Sequence, residues 1–268
     1  MMPLHYGQQD ARRWAAFSGD YNPVHFDEAW VKARGGSGLS VHGMRALLDV
    51  KRFISPPVDD APFLKCTVRL RRPLWRDTAY RLTRDATKRV AASVREFSAE
   101  ETCLSCQITP ENHLPLVDGE SQRVLDSSAL AALHRTFLPL LPDAQQWHFL
   151  DALLFRHLLQ DTALLRQQAI ADILPTCRTL DALFSHFPVV QTHQEVIFDS
   201  HLLAPWRAES LPEHLEIDTL PALVVGDLAN GAVVVRIAAR TCYQHHYISN
   251  AVTLKVGALT KGKSNEPA

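Results

Sequence analysis

The chain has 268 residues, 46% of them hydrophobic and 21% charged, which is ordinary globular composition and excludes a disordered or collagen-like chain. The formal net charge is −1, but residues 1–110 carry 17 Lys and Arg against 12 Asp and Glu, while 111–268 carry 11 against 17. A near-neutral total without a basic, stacking-rich motif argues against a nucleic-acid partner. No apolar run approaches the roughly 18 residues a membrane helix needs, and Asp10, Arg12 and Arg13 interrupt the start where a secretory leader would be apolar. A cytoplasmic protein with neither nucleic acid nor membrane as partner is expected.

In chain order, Asp10 is expected to cap a short helix through Phe17, stopped by Gly19. Asn22-Pro23 starts a second, with Asn at the cap and Pro at the first helical position, ending at Gly35-Gly36. A longer helix follows Val41 to about Phe53, with Met44, Leu47, Leu48 and Lys51 at helical spacing. From Phe63 to Ile108 the pattern alternates, as strands do. The turn-rich stretch from Gln107 to Ser128 reads as a boundary. Beyond it Asp143 is expected to cap a strongly apolar helix carrying Trp147, Leu150, Leu153, Leu154 and Leu158. Strands follow over Val189–Ser200, Leu223–Leu228, Gly231–Thr241 and Tyr243–Gly257.

Helices come first and strands afterwards on both sides of the boundary. Val68 to Trp75-Arg76 also resembles Ile197 to Trp206-Arg207. An α+β duplication is expected, each unit an antiparallel sheet curled round a long helix. Joining two such units edge to edge covers a strand edge on each. The expected units are 1–110 and 129–259, with a linker at 111–128 and a disordered tail at 260–268.

The densest chemistry lies in Phe17-Ser-Gly-Asp20-Tyr-Asn22-Pro-Val-His25-Phe-Asp27, followed by His42-Gly43-Met44. Asp20 falls in a turn and His25 in the first turn of a helix, so both can face one cleft. The positive end of a helix dipole favours a neutral imidazole that can accept a proton. Gly43 opens the long helix, where its N–H has no helical partner and can receive a developing oxyanion. A base, an acid and an oxyanion donor suit proton removal beside a thioester carbonyl with loss or gain of water at the β carbon, and need no metal or organic cofactor.

This stretch resembles the MaoC-like hydratases, the (R)-specific enoyl-thioester hydratases and 3-hydroxyacyl-thioester dehydratases of hot-dog fold. Phe17, Ser18, Gly19, Asp20, Asn22, Pro23, His25, Asp27, His42, Gly43 and Met44 match the family pattern, and the resemblance covers residues 4–108. It implies a double hot-dog fold, Asp20 and His25 as the catalytic pair, and the Gly43 amide as holder of the thioester oxygen. The implied substrate is an acyl thioester on coenzyme A or acyl carrier protein. Asn22 is expected to hold the loop beside the substrate and His42 to order it. Arg45 stands where the family often has a small or apolar residue, and either narrows the site or reaches a carrier's phosphate. The second half lacks the motif and is expected to shape an acyl tunnel. A hot-dog thioesterase, or a non-catalytic acyl-binding partner of a heteromeric enzyme, is the alternative; a homodimer is possible.

Other features point less far. The basic residues between Lys65 and Arg95 form either a solvated sheet face or a surface for an anionic carrier. Cys66, Cys103, Cys106, Cys177 and Cys242 are too scattered for a disulfide framework, and Cys103-Leu-Ser-Cys106 lies in a stretch read as strand. Tyr243-Gln-His245-His246-Tyr247 is read as strand too, where neighbouring side chains diverge and no third ligand is evident. His186, His193 and His201 are too irregularly spaced for one site. No metal site is expected.

Overall fold

A computed structural model describes residues 1–257 except 88, 89, 116, 174–176, 178, 208, 210, 229 and 230. The expected tail, and Lys88 and Arg89 of the basic stretch, lie outside the described residues. The first half runs β1 (Met2–His5), α1 (Gln8–Ser18), a 3₁₀ turn (Pro23–His25), α2 (Glu28–Ala33), α3 (Gly43–Ile54), β2 (Phe63–Leu70), β3 (Ala79–Arg84), β4 (Ala91–Glu96) and β5 (Thr102–Glu111). The second runs β6 (Ser121–Asp126), α4 (Ser127–Phe137), α5 (Gln146–Gln160), α6 (Gln168–Ala171), α7 (Leu180–His186), β7 (Val189–Asp199), β8 (His214–Asp227), β9 (Ala232–Tyr243) and β10 (His246–Gly257).

The ten strands form one sheet in the order β1-β3-β4-β5-β2-β7-β10-β9-β8-β6. Outward from the β2–β7 pair, the two halves have the same order, with β6 in the place of β1 and β7 in the place of β2. The chain is an α+β double hot-dog. Its seam is antiparallel, from Phe63 opposite Asp199 to Arg69 opposite His193, so two strand edges are covered by each other. The sequence landmark marks this symmetry. Trp75 after β2 bridges to Ser40 before α3, and Pro205 after β7 bridges to Gln145 before α5.

α3 lies against β4 and β5, α5 lies against β9 and β10, and the two helices touch. Met44, Leu47, Leu48, Val50 and Ile54 make one buried face of α3. α5 is buried nearly all round, from Trp147, stacked on Phe198 at 4.5 Å between ring centroids, to Leu158. An all-round apolar helix belongs in the middle of a core.

Local differences from the sequence reading have local causes. Asp10 is not the N-cap of α1: the helix starts at Gln8, and the Asp10 carboxylate reaches back to accept from the Gly7 N–H at 3.1 Å. The helix expected from Pro23 to Gly35 is divided. The Asp27 carboxylate accepts from the Trp30 N–H at 2.9 Å and caps a new helix, leaving Pro23–His25 as a single turn. Asp143 does not cap α5; it pairs with Arg52 at 3.0 Å on the surface, and the helix begins after Gln145. The stretch expected as linker holds β6, paired with β8 from Ser121 opposite Thr219 to Asp126 opposite His214. β8 is longer than expected because the ladder shifts register between Leu220 and Leu223, which accommodates Pro221 within a strand. Cys106 packs its Sγ 3.5 Å from Cys66.

Between α3 and α5 lies a buried polar cluster. The Lys51 Nζ donates to the Asp151 carboxylate and, at 2.8 Å, to Gln194 Oε1. Asp151 Oδ1 accepts from Gln194 Nε2 at 2.9 Å and Asn250 Nδ2 at 2.8 Å. Beside it, His148 Nδ1 accepts from the Gln145 N–H, and burial, with Lys51 adding to it, pushes the imidazole pKa down to about 3. The unfolded chain takes up this proton near 6.5 and the folded chain does not. His148 therefore contributes full stability above pH 6.5 and loses it as pH falls from 6.5 towards 3, on the order of 4 kcal/mol. Urea unfolding at pH 7.5 and 4.5 should give a steep loss in the wild type and a shallower one in His148→Gln; equal losses would remove His148 from the acid response.

Candidate active site

The loop after α1 is built by short-range hydrogen bonds. Ser18 Oγ donates to the Trp14 carbonyl at 2.9 Å and accepts from the Asp20 N–H at 3.1 Å, so this hydroxyl is occupied by the loop. Gly19 has a φ of 79°, a conformation that favours glycine; a Cβ on it would lie 2.7 Å from the Gln160 amide, which would have to swing aside. Asp20 Oδ1 accepts from the Asn22 N–H at 3.3 Å, and Asn22 Oδ1 accepts from the Val24 N–H at 3.2 Å. Pro23 supplies the φ that starts the 3₁₀ turn, and His25 ends it.

His25 is buried, and its Nδ1 lies 2.9 Å from the Ser40 carbonyl and 3.1 Å from Ser40 Oγ. A carbonyl only accepts, so Nδ1 carries the proton and Nε2 keeps the lone pair. Burial lowers the His25 pKa, opposed by the Asp20 charge and the Ser40 hydrogen bond. The sequence reading credits a helix dipole with neutrality here; a three-residue turn supplies little, and desolvation does it instead.

His42 stacks on His25 with 3.7 Å between ring centroids, and its Nε2 lies 3.1 Å from the Asp20 carbonyl. That bond places the proton on Nε2 and leaves Nδ1 buried with no partner among the described residues. Burial, reinforced by neighbouring His25, holds the His42 pKa well below the usual histidine value. The ring thus stays neutral, ties the Asp20 loop to the start of α3, and presses on His25. The side-chain donor atoms of Asp20, His25 and His42 all lie within 4.8 Å of one another, close enough to share a bound water or to surround a metal ion.

Gly43 is the first residue of α3, and its N–H has no partner among the described residues. A Cβ at Gly43 would meet Leu70 Cδ2 at 2.9 Å, so glycine lets β2 close on the helix start. Arg45 lies on another side of α3. Two residues on from Gly43 it is turned about 200° round the helix. Its guanidinium is held by Asp49 at 2.8 Å and Asp10 at 3.2 Å, with Tyr6 below, away from the Gly43 N–H.

Several neighbours carry no sequence signal. Ser40 fixes the His25 tautomer, and Arg76 donates to the His25 carbonyl at 3.3 Å. From the second half, Arg156 on α5 donates to the Phe17 carbonyl, and Gln191 on β7 reaches Met44 Sδ at 3.7 Å. These last two are contacts between halves, invisible to local spacing. A cavity of about 230 Å³ lies between α4, α5, β6 and β8, lined by Leu125, Leu133, Leu153 and Ile217 and flanked by the same Arg156 and Gln160 that touch the Asp20 loop.

Fold and site together define a double hot-dog protein with an Asp–His loop set against the start of its first long helix. No protein-family model matches the sequence, and no curated protein matches it. Among solved structures, a double hot-dog protein of Mycobacterium tuberculosis, itself of hypothetical function, is 10% identical with a TM-score of 0.48, over 96% of this chain and 94% of that one. A MaoC-like dehydratase from Phytophthora capsici is 10% identical with a TM-score of 0.42, over 93% of each chain. An acyl-CoA thioesterase from Mycobacterium marinum is 14% identical with a TM-score of 0.41, over 83% of this chain and 91% of that one. The chain resembles the MaoC-like dehydratases of hot-dog fold, at identities so low that its chemistry must be argued from its own residues.

Proposed function

We propose that the protein is a hydro-lyase that dehydrates (R)-3-hydroxyacyl thioesters and hydrates trans-2-enoyl thioesters. The observation that carries this reading is the convergence of Asp20 with a buried, neutral His25 whose tautomer leaves Nε2 basic. In dehydration, His25 Nε2 takes the α proton, and the electron pair of that C–H bond moves into the enolate. The Gly43 N–H meets the enolate oxygen at the start of α3. Collapse of the enolate expels the β hydroxyl, which takes the proton that His25 has gained, relayed by the Asp20 carboxylate, and leaves as water. Both residues are thereby restored, and the cycle closes without a cofactor.

The apolar cavity beside Arg156 and Gln160 supports an acyl tail lodged in the second half. An anionic carrier is supported by a groove of about 940 Å³ on the first half's part of the sheet, lined by Arg69, Arg71, Arg72, Arg84 and Arg95 among others. Arg72 and Arg95 face Glu101 and Glu100, whereas the Arg69 and Arg71 side chains have no acidic partner among the described residues. Coenzyme A and acyl carrier protein both bring phosphate, so either suits this face.

The test offers crotonyl-coenzyme A and a 3-hydroxyacyl carrier protein to the purified chain, following hydration and thiol release together. Interconversion of enoyl and hydroxyacyl forms without free thiol is expected. Stoichiometric thiol would make it a thioesterase instead. No turnover on either carrier would favour the non-catalytic partner.

A further inference from the structure

The histidines that sequence spacing scatters come together at the far end of the seam. Asp199 closes β7 opposite Phe63, whereas the Asp20–His25 loop adjoins Gly43, which packs on Leu70 at the other end of β2. Asp199 Oδ1 accepts from the His201 N–H at 2.9 Å and lies 2.7 Å from His201 Nδ1. Its Oδ2 lies 2.9 Å from His246 Nδ1. The two imidazoles stack at 4.6 Å and 14°. His246 reaches this place because Tyr243-Gln-His245-His246-Tyr247 is not continuous strand. Gln244 and His245 have φ of 49° and 70° and form the two-residue turn between β9 and β10.

We propose that Asp199, His201 and His246 bind a divalent first-row transition-metal ion of the zinc type. Three donor atoms from two separate segments lie within 4.8 Å of one another. With a carboxylate between them, each Nδ1 holds a proton aimed at it, and a divalent ion can take the place of both. Binding then makes one metal–oxygen and two metal–nitrogen bonds, while each ring gives up its Nδ1 proton and takes one on Nε2 through solvent, so the ligands are neutral imidazoles and an ionised carboxylate. Two imidazoles with one carboxylate suit zinc and its neighbours, not magnesium or calcium, which prefer all-oxygen sites. The His201 side chain is 72% exposed and that of His246 30%, which gives the ion a path in and leaves positions for water. The ion would clip the β9–β10 turn to the end of β7.

The test is calorimetric titration of the full-length protein with zinc. The wild type should bind one equivalent at this site. His201→Ala and His246→Ala should each weaken that event at least tenfold while circular dichroism stays unchanged, and excess magnesium should not compete. His25→Ala, at the other cluster with suitable spacing, should leave it intact. No binding in the wild type, binding untouched by both variants, or binding lost only in His25→Ala would overturn the proposal. None of these outcomes depends on the hydro-lyase activity.

Discussion

Replacing His25 with alanine is expected to lower kcat for hydration of a short trans-2-enoyl thioester by about 10²–10⁴-fold, the usual worth of a positioned general base. His25 is held by Ser40 on one side and by the stacked His42 on the other, and alanine leaves that frame standing. Circular dichroism and the denaturation midpoint should therefore change little. Asp20→Asn should cost a similar factor and adds an independent signature. The His25 pKa is lowered by burial and partly raised again by Asp20, so kcat/KM should be level above pH 6.5 and fall only below the lowered pKa. Removing the Asp20 charge takes away the raising influence, and the acid limb should move to lower pH. A limb that stays in place, or full activity in either variant, would remove the pair from the mechanism.

The largest effect on stability is expected at Lys51. Its ammonium is fully buried against Asp151, on the other half's long helix, and the cluster is completed by Gln194 and Asn250 from β7 and β10. Lys51→Met keeps the bulk of the stem but strands a buried carboxylate, and should cost about 3–5 kcal/mol in urea unfolding. Asp151→Asn should cost a similar amount by stranding the ammonium. The double variant should be little worse than either single, because the charge each leaves exposed to a low dielectric is gone. Additive losses would mean that the two residues stabilise the chain independently, and that the joint between halves rests on the β2–β7 seam and apolar packing alone.

Much of this was legible in the sequence. Helices before strands, twice over, with Trp75 and Trp206 at matching places, gave the duplicated α+β plan, because period and turn chemistry are local signals. The loop from Phe17 to Asp27 was legible for the same reason: Gly19, Asn22 and Pro23 each do their work within a few residues. What stayed hidden was non-local. The partners of Arg45 are an example: Asp10 comes from another helix, and local spacing does not show it. β6 looked like linker because an edge strand of six residues, with polar side chains and no partner nearby in sequence, has almost no signature. The neutrality of His25 was expected for the wrong cause, since burial cannot be read from a motif. Asp199, His201 and His246 meet because one turn with two residues at positive φ folds β10 back along β9, and β10 then pairs with β7.

The most direct measurement is the mass of crotonyl-coenzyme A, and of a 3-hydroxyacyl thioester on carrier protein, after incubation with the wild type and with His25→Ala. A gain or loss of one water in the wild type, with the thioester intact and no change in the variant, is the expected result. Wild-type levels of interconversion in His25→Ala, or thioester cleavage in place of it, would contradict the assignment of Asp20, His25 and Gly43 to a hydro-lyase.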